Sequence, residues 1–533
     1  MAEPTPRPNP FHRADIPSLV RRRFLGMLGF LLGGAFLGAA ETATPKPPAT
    51  DERRRKGGGK GGEDTARARG PSYRGEYALP ASLAAHAEIS VVLGRTTKDR
   101  TTVSVVAARA MEGYVEHGTD PAKLDRRTAT LPLPAGEPAE FELKELRPDT
   151  RHHYRLQVRP AGGGAFQPRE TASFSTQRAP GSTFVFTVQG DSHPERSQSS
   201  HPELYARTLM AAAADRPDFH VCIGDDFSVD KVATVSPEAL AAPYRLQRPF
   251  LGLVGRLGPV FLVNGNHEQA SRFNYDQKDE RRDVAIGVQR ARNRLYPLPA
   301  PDGFYGGNET PLPEIGPLRD YHAWTWGDAL FVILDNYWHS PALVDSGFGP
   351  KETGGKRSRD GWGITLGDAQ YRWFKRTLET SKARHKFVFA HHVMGTGRGG
   401  TDVAHLHEWG GQGRGGDGTF AERRPGWELP IHQLMARHKV SVFFQGHDHL
   451  YCRQEKDGVV YQELPMPSDH GYVAYNEDRY AGGTKLPNSG HVRVTVSPDK
   501  VRVEYVRAFL AKDEGEGRRH GAVAHAYEIP ARA

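Results

Sequence analysis

From residue 84 onward the chain alternates apolar runs with turn residues, and the pattern changes once. Between 84 and 178 the runs are short and partly alternating, at 89–93, 102–106, 141–143, 153–158 and 174–176. Period-two alternation bounded by turn residues marks strands with one buried face. The pattern therefore predicts an all-β sandwich over 81–178. After Ala179-Pro180-Gly181 the runs become continuously apolar, at 184–188, 219–223, 260–263, 330–334, 387–390 and 440–445. Helical stretches at 204–214, 244–257 and 366–378 interleave with them. A strand apolar on both faces is covered on both faces, so 180–533 is predicted to be an α/β layered domain. The runs at 491–496 and 501–506 alternate again. They are expected to be antiparallel strands that complete a second sheet.

At 533 residues the chain has length for two domains plus appendages. The formal charge of +8 suggests nucleic-acid binding until it is located. Residues 1–40 carry five Arg against Glu3 and Asp15, and residues 41–70 carry eight Lys or Arg against five acidic residues. About +2 is left for everything else, so the folded part is near neutral and no nucleic-acid partner is expected. The two cysteines, Cys222 and Cys452, exclude a disulfide scaffold and a cysteine-based zinc site. Cys222 sits in an apolar strand and reads as a small hydrophobe.

Arg21-Arg22-Arg23 precedes a Gly-rich apolar run over 26–37 and the small residues Gly38-Ala39-Ala40. This arrangement resembles a twin-arginine (Tat) export signal over 1–40. It implies a periplasmic or secreted protein that meets the membrane only through that signal. Residues 41–80, with a Pro-rich stretch and Arg53 to Lys60, cannot form a core and are expected to be a disordered linker. Leu146 to Thr150 ahead of Tyr154 resembles the strand E to F corner of fibronectin type III domains, where a Tyr pins the turn.

Each core strand of the α/β region ends in a polar cluster. In order these are Gly190-Asp191-Ser192-His193, Gly224-Asp225-Asp226, Gly265-Asn266-His267-Glu268, His391-His392 and Gly446-His447-Asp448-His449. Open α/β sheets bind ligands beyond the carboxyl ends of their strands, where such clusters converge. Carboxylates, one amide and several imidazoles without thiolate suit Mn, Fe, Zn or Co rather than Ca alone. A carboxylate can bridge two ions about 3.5–4 Å apart, and Asp225, directly after a buried strand and a Gly, is the natural bridge.

The order D-x-H, G-D, G-N-H-E, H, G-H-x-H resembles the calcineurin-like metallophosphoesterases over roughly 180–510. The resemblance implies a four-layer sandwich of two mixed β-sheets flanked by helices, and two divalent transition metals. Asp191, His193, Asp225 and His449 would hold one ion, and Asp225, Asn266, His391 and His447 the other. His392 stands as the alternative to His391. His267 corresponds to a non-ligand His that stabilises developing charge or protonates the leaving oxygen, so His267 and Asp225 are the catalytic candidates. Asp226 and Asp448 are expected to orient ligands. The β-sandwich ahead of this domain and the Gly446 to Tyr451 ending look like purple acid phosphatases, with two departures. His193 is a ligand those enzymes lack, and Ser228 stands where they place an iron-ligating Tyr, so a non-purple enzyme is expected.

Two cations would activate a bridging water and neutralise phosphate oxygens during in-line attack. The implied activity is hydrolysis of small-molecule phosphate esters. A phosphodiesterase or phospholipase-like activity, and a non-catalytic, metal-stabilised envelope binding protein, are the competing readings. Between His391 and the next strand, 395–427 is a Gly-rich insert expected to act as a lid or specificity loop. Within it Arg398 or Arg414 could grip a phosphate, and His405 with His407 could hold a third metal. Residues 274–321 read as a loop without chemistry. Oligomeric state is open at this level.

Overall fold

The computed structural model describes residues 79–532 apart from 231, 346–347, 349–359 and 396. The expected export signal, and all of the expected linker except its last two residues, lie outside the described residues.

The N-terminal part is built from β1 (Ile89–Gly94), β2 (Thr101–Ala107), β3 (Met111–Gly118), β4 (Pro138–Leu143), β5 (Arg151–Pro160) and β6 (Ala172–Ser175). β1, β2 and β4 form one antiparallel sheet, and β3, β5 and β6 lie in a second. Val103, Val105 and Phe141 of the first meet Val115, Leu156 and Phe174 of the second in one core. The apolar pattern does not announce β3, because Glu112, Gly113 and Glu116 interrupt it. Glu116 instead accepts from Arg155 and Gln157 on the outer face of β5, a cross-strand polar pairing that supports a strand from its wet side. The corner before β5 is not pinned by Tyr154. Its hydroxyl donates to the Arg256 carbonyl at 2.9 Å, and His152 Nε2 meets the Arg147 carbonyl at 3.1 Å instead.

The larger part continues with β7 (Phe184–Gln189), α1 (Pro202–Ala214), β8 (Phe219–Cys222), α2 (Pro237–Gly255), β9 (Val260–Leu262) and α3 (Glu280–Leu295). Next come β10 (His322–Trp326), β11 (Ala329–Ile333), α4 (Gly367–Thr380), β12 (His385–Phe389), α5 (Ile431–Arg437) and β13 (Val442–Gln445). β14 (Tyr451–Lys456), β15 (Val459–Glu463), β16 (Gly490–Val496), β17 (Lys500–Arg507) and β18 (Val523–Pro530) complete it. The first sheet runs β9-β8-β7-β16-β17-β18, and the second runs β10-β11-β12-β13-β15-β14 with a short strand at each edge. The two sheets close on a core of aromatic side chains, among them Phe186, Phe219, Phe331, Phe387, Phe389 and Phe444. Outside the first sheet, Leu251 of α2 and Val288 of α3 pack with Val260 and Leu262. Outside the second, Phe374 of α4 and Leu434 of α5 pack with Val332, Val388 and Phe443. The result is the four-layer sandwich of two mixed sheets expected.

Two expectations need correcting. β16 and β17 extend the first sheet rather than completing the second, because β16 pairs antiparallel with β7. Val492, Val494 and Val496 then point into the shared core. The segment read as a chemistry-free loop contains α3, capped by the Asp279 side chain accepting from Arg281 N. Its buried stripe is Val284, Val288, Ala291 and Leu295, and the Arg residues between those positions masked the helical period.

Candidate metal centre

β7, β8 and β9 are parallel neighbours, as are β11, β12 and β13, so their carboxyl ends emerge on one side. The polar clusters follow directly. Two of the preceding glycines are forced by close approach. A Cβ on Gly446 would collide with Asp191 Oδ1, and one on Gly265 with the Asp225 backbone and side chain. His193, Asp225, His447 and His449 all have positive φ, between 36° and 76°. Non-glycine residues adopt that region at a cost of order 1–3 kcal/mol each, and such strain gathers at functional sites.

The ligating atoms converge in three groups: Asp191, His193 and His449; His193, Asp225 and His267; and Asp225, His391 and His447. Within each group the atoms lie within 4.8 Å of one another. Asp191 Oδ2 is 3.0 Å from His449 Nε2, and both its oxygens accept from His447 N. Asp225 Oδ2 faces His391 Nε2 at 3.3 Å, His193 Nε2 at 3.7 Å and His267 Nε2 at 4.0 Å. Its Oδ1 accepts from His267 N at 2.8 Å. Asn266 Oδ1 lies 3.2 Å from His391 Nε2. All seven predicted ligands and His267 are therefore brought together. The His267 and His449 side chains are 18% exposed and form the solvent-facing side.

Three observations test whether this set suits cations. His193 Nε2 is buried with no hydrogen-bond partner, although it points at Asp225. His391 Nδ1 meets the Ile223 carbonyl at 3.0 Å. With Nδ1 committed to that carbonyl, Nε2 is the nitrogen left to bind a cation beside Asp225, the second-sphere arrangement that orients a ligating imidazole. Burial alone would lower His391, yet the Asp225 and Asp191 carboxylates overcome it and raise it to about 10. Burial would likewise raise Asp191 and Asp225, but the surrounding imidazoles hold both below the usual carboxylate range. Imidazolium here stands in for positive charge that the carboxylates demand, so the residues fit a metal centre.

His391 rather than His392 faces the centre. Asn336 Nδ2 donates to the His392 ring and carbonyl behind it. Asp448 accepts from Arg398, Gly399 N and Tyr480, none of them a predicted ligand. Asp226, pushed up to about 7 by burial and by Asp191, accepts from Gln189. Ser228 receives Arg196 and sits 3.4 Å from His193 Nδ1, away from the nitrogen that faces Asp225.

Other partners were missed by the sequence reading. Glu268 accepts the backbone N–H of Asp225, Asp226 and Gly265 and so staples two of the loops. Asp230 Oδ1 holds His267 Nδ1 at 2.9 Å. Asp345 Oδ2 reaches His447 Nε2 at 3.1 Å from a loop with no motif. Glu268 stood in the G-N-H-E pattern as a signal, whereas Asp230 and Asp345 had none. The 395–427 insert is folded rather than an open loop. Trp409 is fully buried, and Glu408 is buried against Arg424. Arg398 is bound to His447 O and Asp448, Arg414 is exposed, and His405 is exposed while His407 packs on Trp362. His405 and His407 therefore make no third metal site.

Such a fold with this cluster at its strand ends defines a metal-dependent phosphoester hydrolase. The calcineurin-like phosphoesterase family pattern matches residues 184–451, half of the chain, and the protein belongs to that family. Two solved structures share the architecture. One is PhoD, at 13% identity over 85% of this chain and 91% of that one, with a TM-score of 0.59. The other is the purple acid phosphatase PPD1 from yellow lupin (Lupinus luteus) seeds, at 16% identity over 83% and 74%, with a TM-score of 0.52. These likenesses concern the fold. Comparison with curated proteins finds no match. Enzymes of this family use two divalent metals and act on phosphate esters. No helix among the described residues is long and apolar enough to cross a membrane.

Proposed function

We propose that the protein is an exported phosphoesterase hydrolysing small-molecule phosphate mono- or diesters at a dinuclear centre. The observation carrying this reading is that Asp225 belongs to two of the three ligand groups at once. Asp191, His193, Asp225 and His449 would hold one ion, and Asp225, Asn266, His391 and His447 the other. The bound ions would supply Lewis-acid charge to the phosphate and an activated water.

The chain's own groups do the rest. Asp225 is held by His267 N on one oxygen and turns the other to both halves of the site. Asp230 fixes the His267 ring by its Nδ1 and leaves Nε2 on the open side, where it meets a leaving-group oxygen and delivers a proton to it. Glu268 keeps the Asp225 and Gly265 backbones in register. Export rests on the twin-arginine stretch at 21–23 and the apolar run after it.

The test is hydrolysis of p-nitrophenyl phosphate and bis-p-nitrophenyl phosphate by metal-loaded protein, with metal analysis. Turnover of either, lost in Asn266→Ala, supports the reading, and the ratio of the two assigns monoester or diester preference. Turnover of neither, or a single ion per chain, refutes it. Export is tested by fractionation: an Arg22→Lys/Arg23→Lys chain retained in the cytoplasm supports it.

A further inference from the structure

At the opposite end of the second sheet from the metal centre lies a cleft of about 630 Å3. The link after α4, the start of β12, the end of α5 and the residues after β18 enclose it. Among the described residues its walls carry Lys382, Arg384, Lys386, Arg437 and Arg532, with Lys439 beside them, against the Glu379 carboxylate. Glu379 pairs with Lys375. Arg437 pairs with Glu428.

Among the described residues, Lys382, Arg384, Lys386 and Arg532 have no carboxylate partner. Among the described residues Arg384 and Arg532 donate to the backbone carbonyls of Pro498 and Gly458, and Lys386 Nζ to that of His438 at 2.8 Å. A carbonyl contact places a cation without neutralising it. Burial and then Lys439 hold Lys386 below its ordinary range. Burial chiefly, opposed by Glu379 and helped by Lys386 and Arg437, does the same to His438. On a folded chain that is near neutral, concentrating cations in one concavity costs energy unless an anion enters.

We propose that this cleft binds a short linear chain of phosphate groups, at a site separate from the metal centre. Lysine ammonium and the fork of arginine donors suit phosphate oxygens. The cleft volume lies within the usual range for ligand sites of about 300–1,000 Å3, and the cations line several of its walls, which fits several linked phosphates rather than one.

The experiment titrates tripolyphosphate by calorimetry into full-length, metal-loaded protein, the Lys382→Ala/Arg384→Ala double variant and Asn266→Ala. The expected result is saturable binding that weakens about tenfold or more in the double variant. Its p-nitrophenyl phosphate turnover stays unchanged, and cleft binding survives in Asn266→Ala. Wild-type affinity in the double variant would put the ligand at the metal centre and overturn the proposal. Binding abolished by Asn266→Ala, or association only with phosphatidylglycerol vesicles and not with free tripolyphosphate, would overturn it too. Because cleft binding is read without hydrolysis, a chain that cleaves no ester yet shows it would refute the proposed activity and leave this site standing.

Discussion

Replacing Glu268 by Gln separates two effects that the folded site superimposes. Glu268 is 3% exposed. Its Oε2 accepts from Asp225 N at 3.1 Å and Gly265 N at 2.9 Å, and its Oε1 from Asp226 N at 2.7 Å. Glutamine with its carbonyl at the Oε2 position keeps two of these bonds and presents an amide donor to the third. A buried N–H left without an acceptor costs roughly 1–3 kcal/mol. Against that, burial and then the Asp225 and Asp226 charges push the Glu268 carboxyl well up, so a neutral amide relieves repulsion. With metals removed the two effects offset. With metals bound, the cations offset the Asp225 charge, that repulsion weakens and the lost bond dominates. At about 2–4 °C per kcal/mol, Tm of the loaded protein falls by roughly 2–12 °C while that of the stripped protein moves little. Metal affinity falls about 10–100-fold, as for other groups that orient ligands. Differential scanning calorimetry with and without chelator, together with metal titration, reads both. An equal fall in both states with unchanged metal affinity would refute the reasoning and leave Glu268 as a turn-filling residue only.

Asn266→Ala is expected to reduce bound metal below two per chain and phosphate-ester turnover by about 100-fold or more, checked by elemental analysis beside steady-state rates. Asp230→Asn should lower kcat by about 10²-fold or more, with KM and metal content unchanged, since the carboxylate's hold on His267 Nδ1 is lost. Loss of metal in that variant would count against a positioning role. Burial pushes His220 and His322 down to about 3. The unfolded chain, titrating near 6.5, therefore binds protons between those values that the folded chain refuses. This stability is full above pH 6.5 and is lost on acidification, by up to about 1.4 kcal/mol per pH unit for each imidazole. Urea unfolding of metal-stripped wild type and His322→Phe at pH 7, 6 and 5 should show the shallower acid slope in the variant. Parallel slopes would show that His322 does not titrate on unfolding.

The site was legible because its chemistry sits on the strongest local signals in the chain. Asp191, Asp225, Asn266, His391 and His447 each follow a continuous apolar run, four of them through a glycine, and such runs end where a parallel sheet exposes its carboxyl edge. Those features depend on residues adjacent in sequence. What depended on distant partners stayed hidden. The strand over Gly490–Val496 shows alternation but not that its neighbour is Phe184–Gln189, some 300 residues away. Tyr154 shows an aromatic at a corner but not that its hydroxyl reaches Arg256. Asp230 and Asp345 are ordinary loop carboxylates until folding sets them against His267 and His447. The sequence by itself determined the layered fold class, the strand ends and the donor chemistry, since periodicity and residue type are local properties. Only the tertiary structure decided sheet order, the partner of each imidazole and the gathering of scattered cations into one cleft, because long-range packing brings those groups into contact.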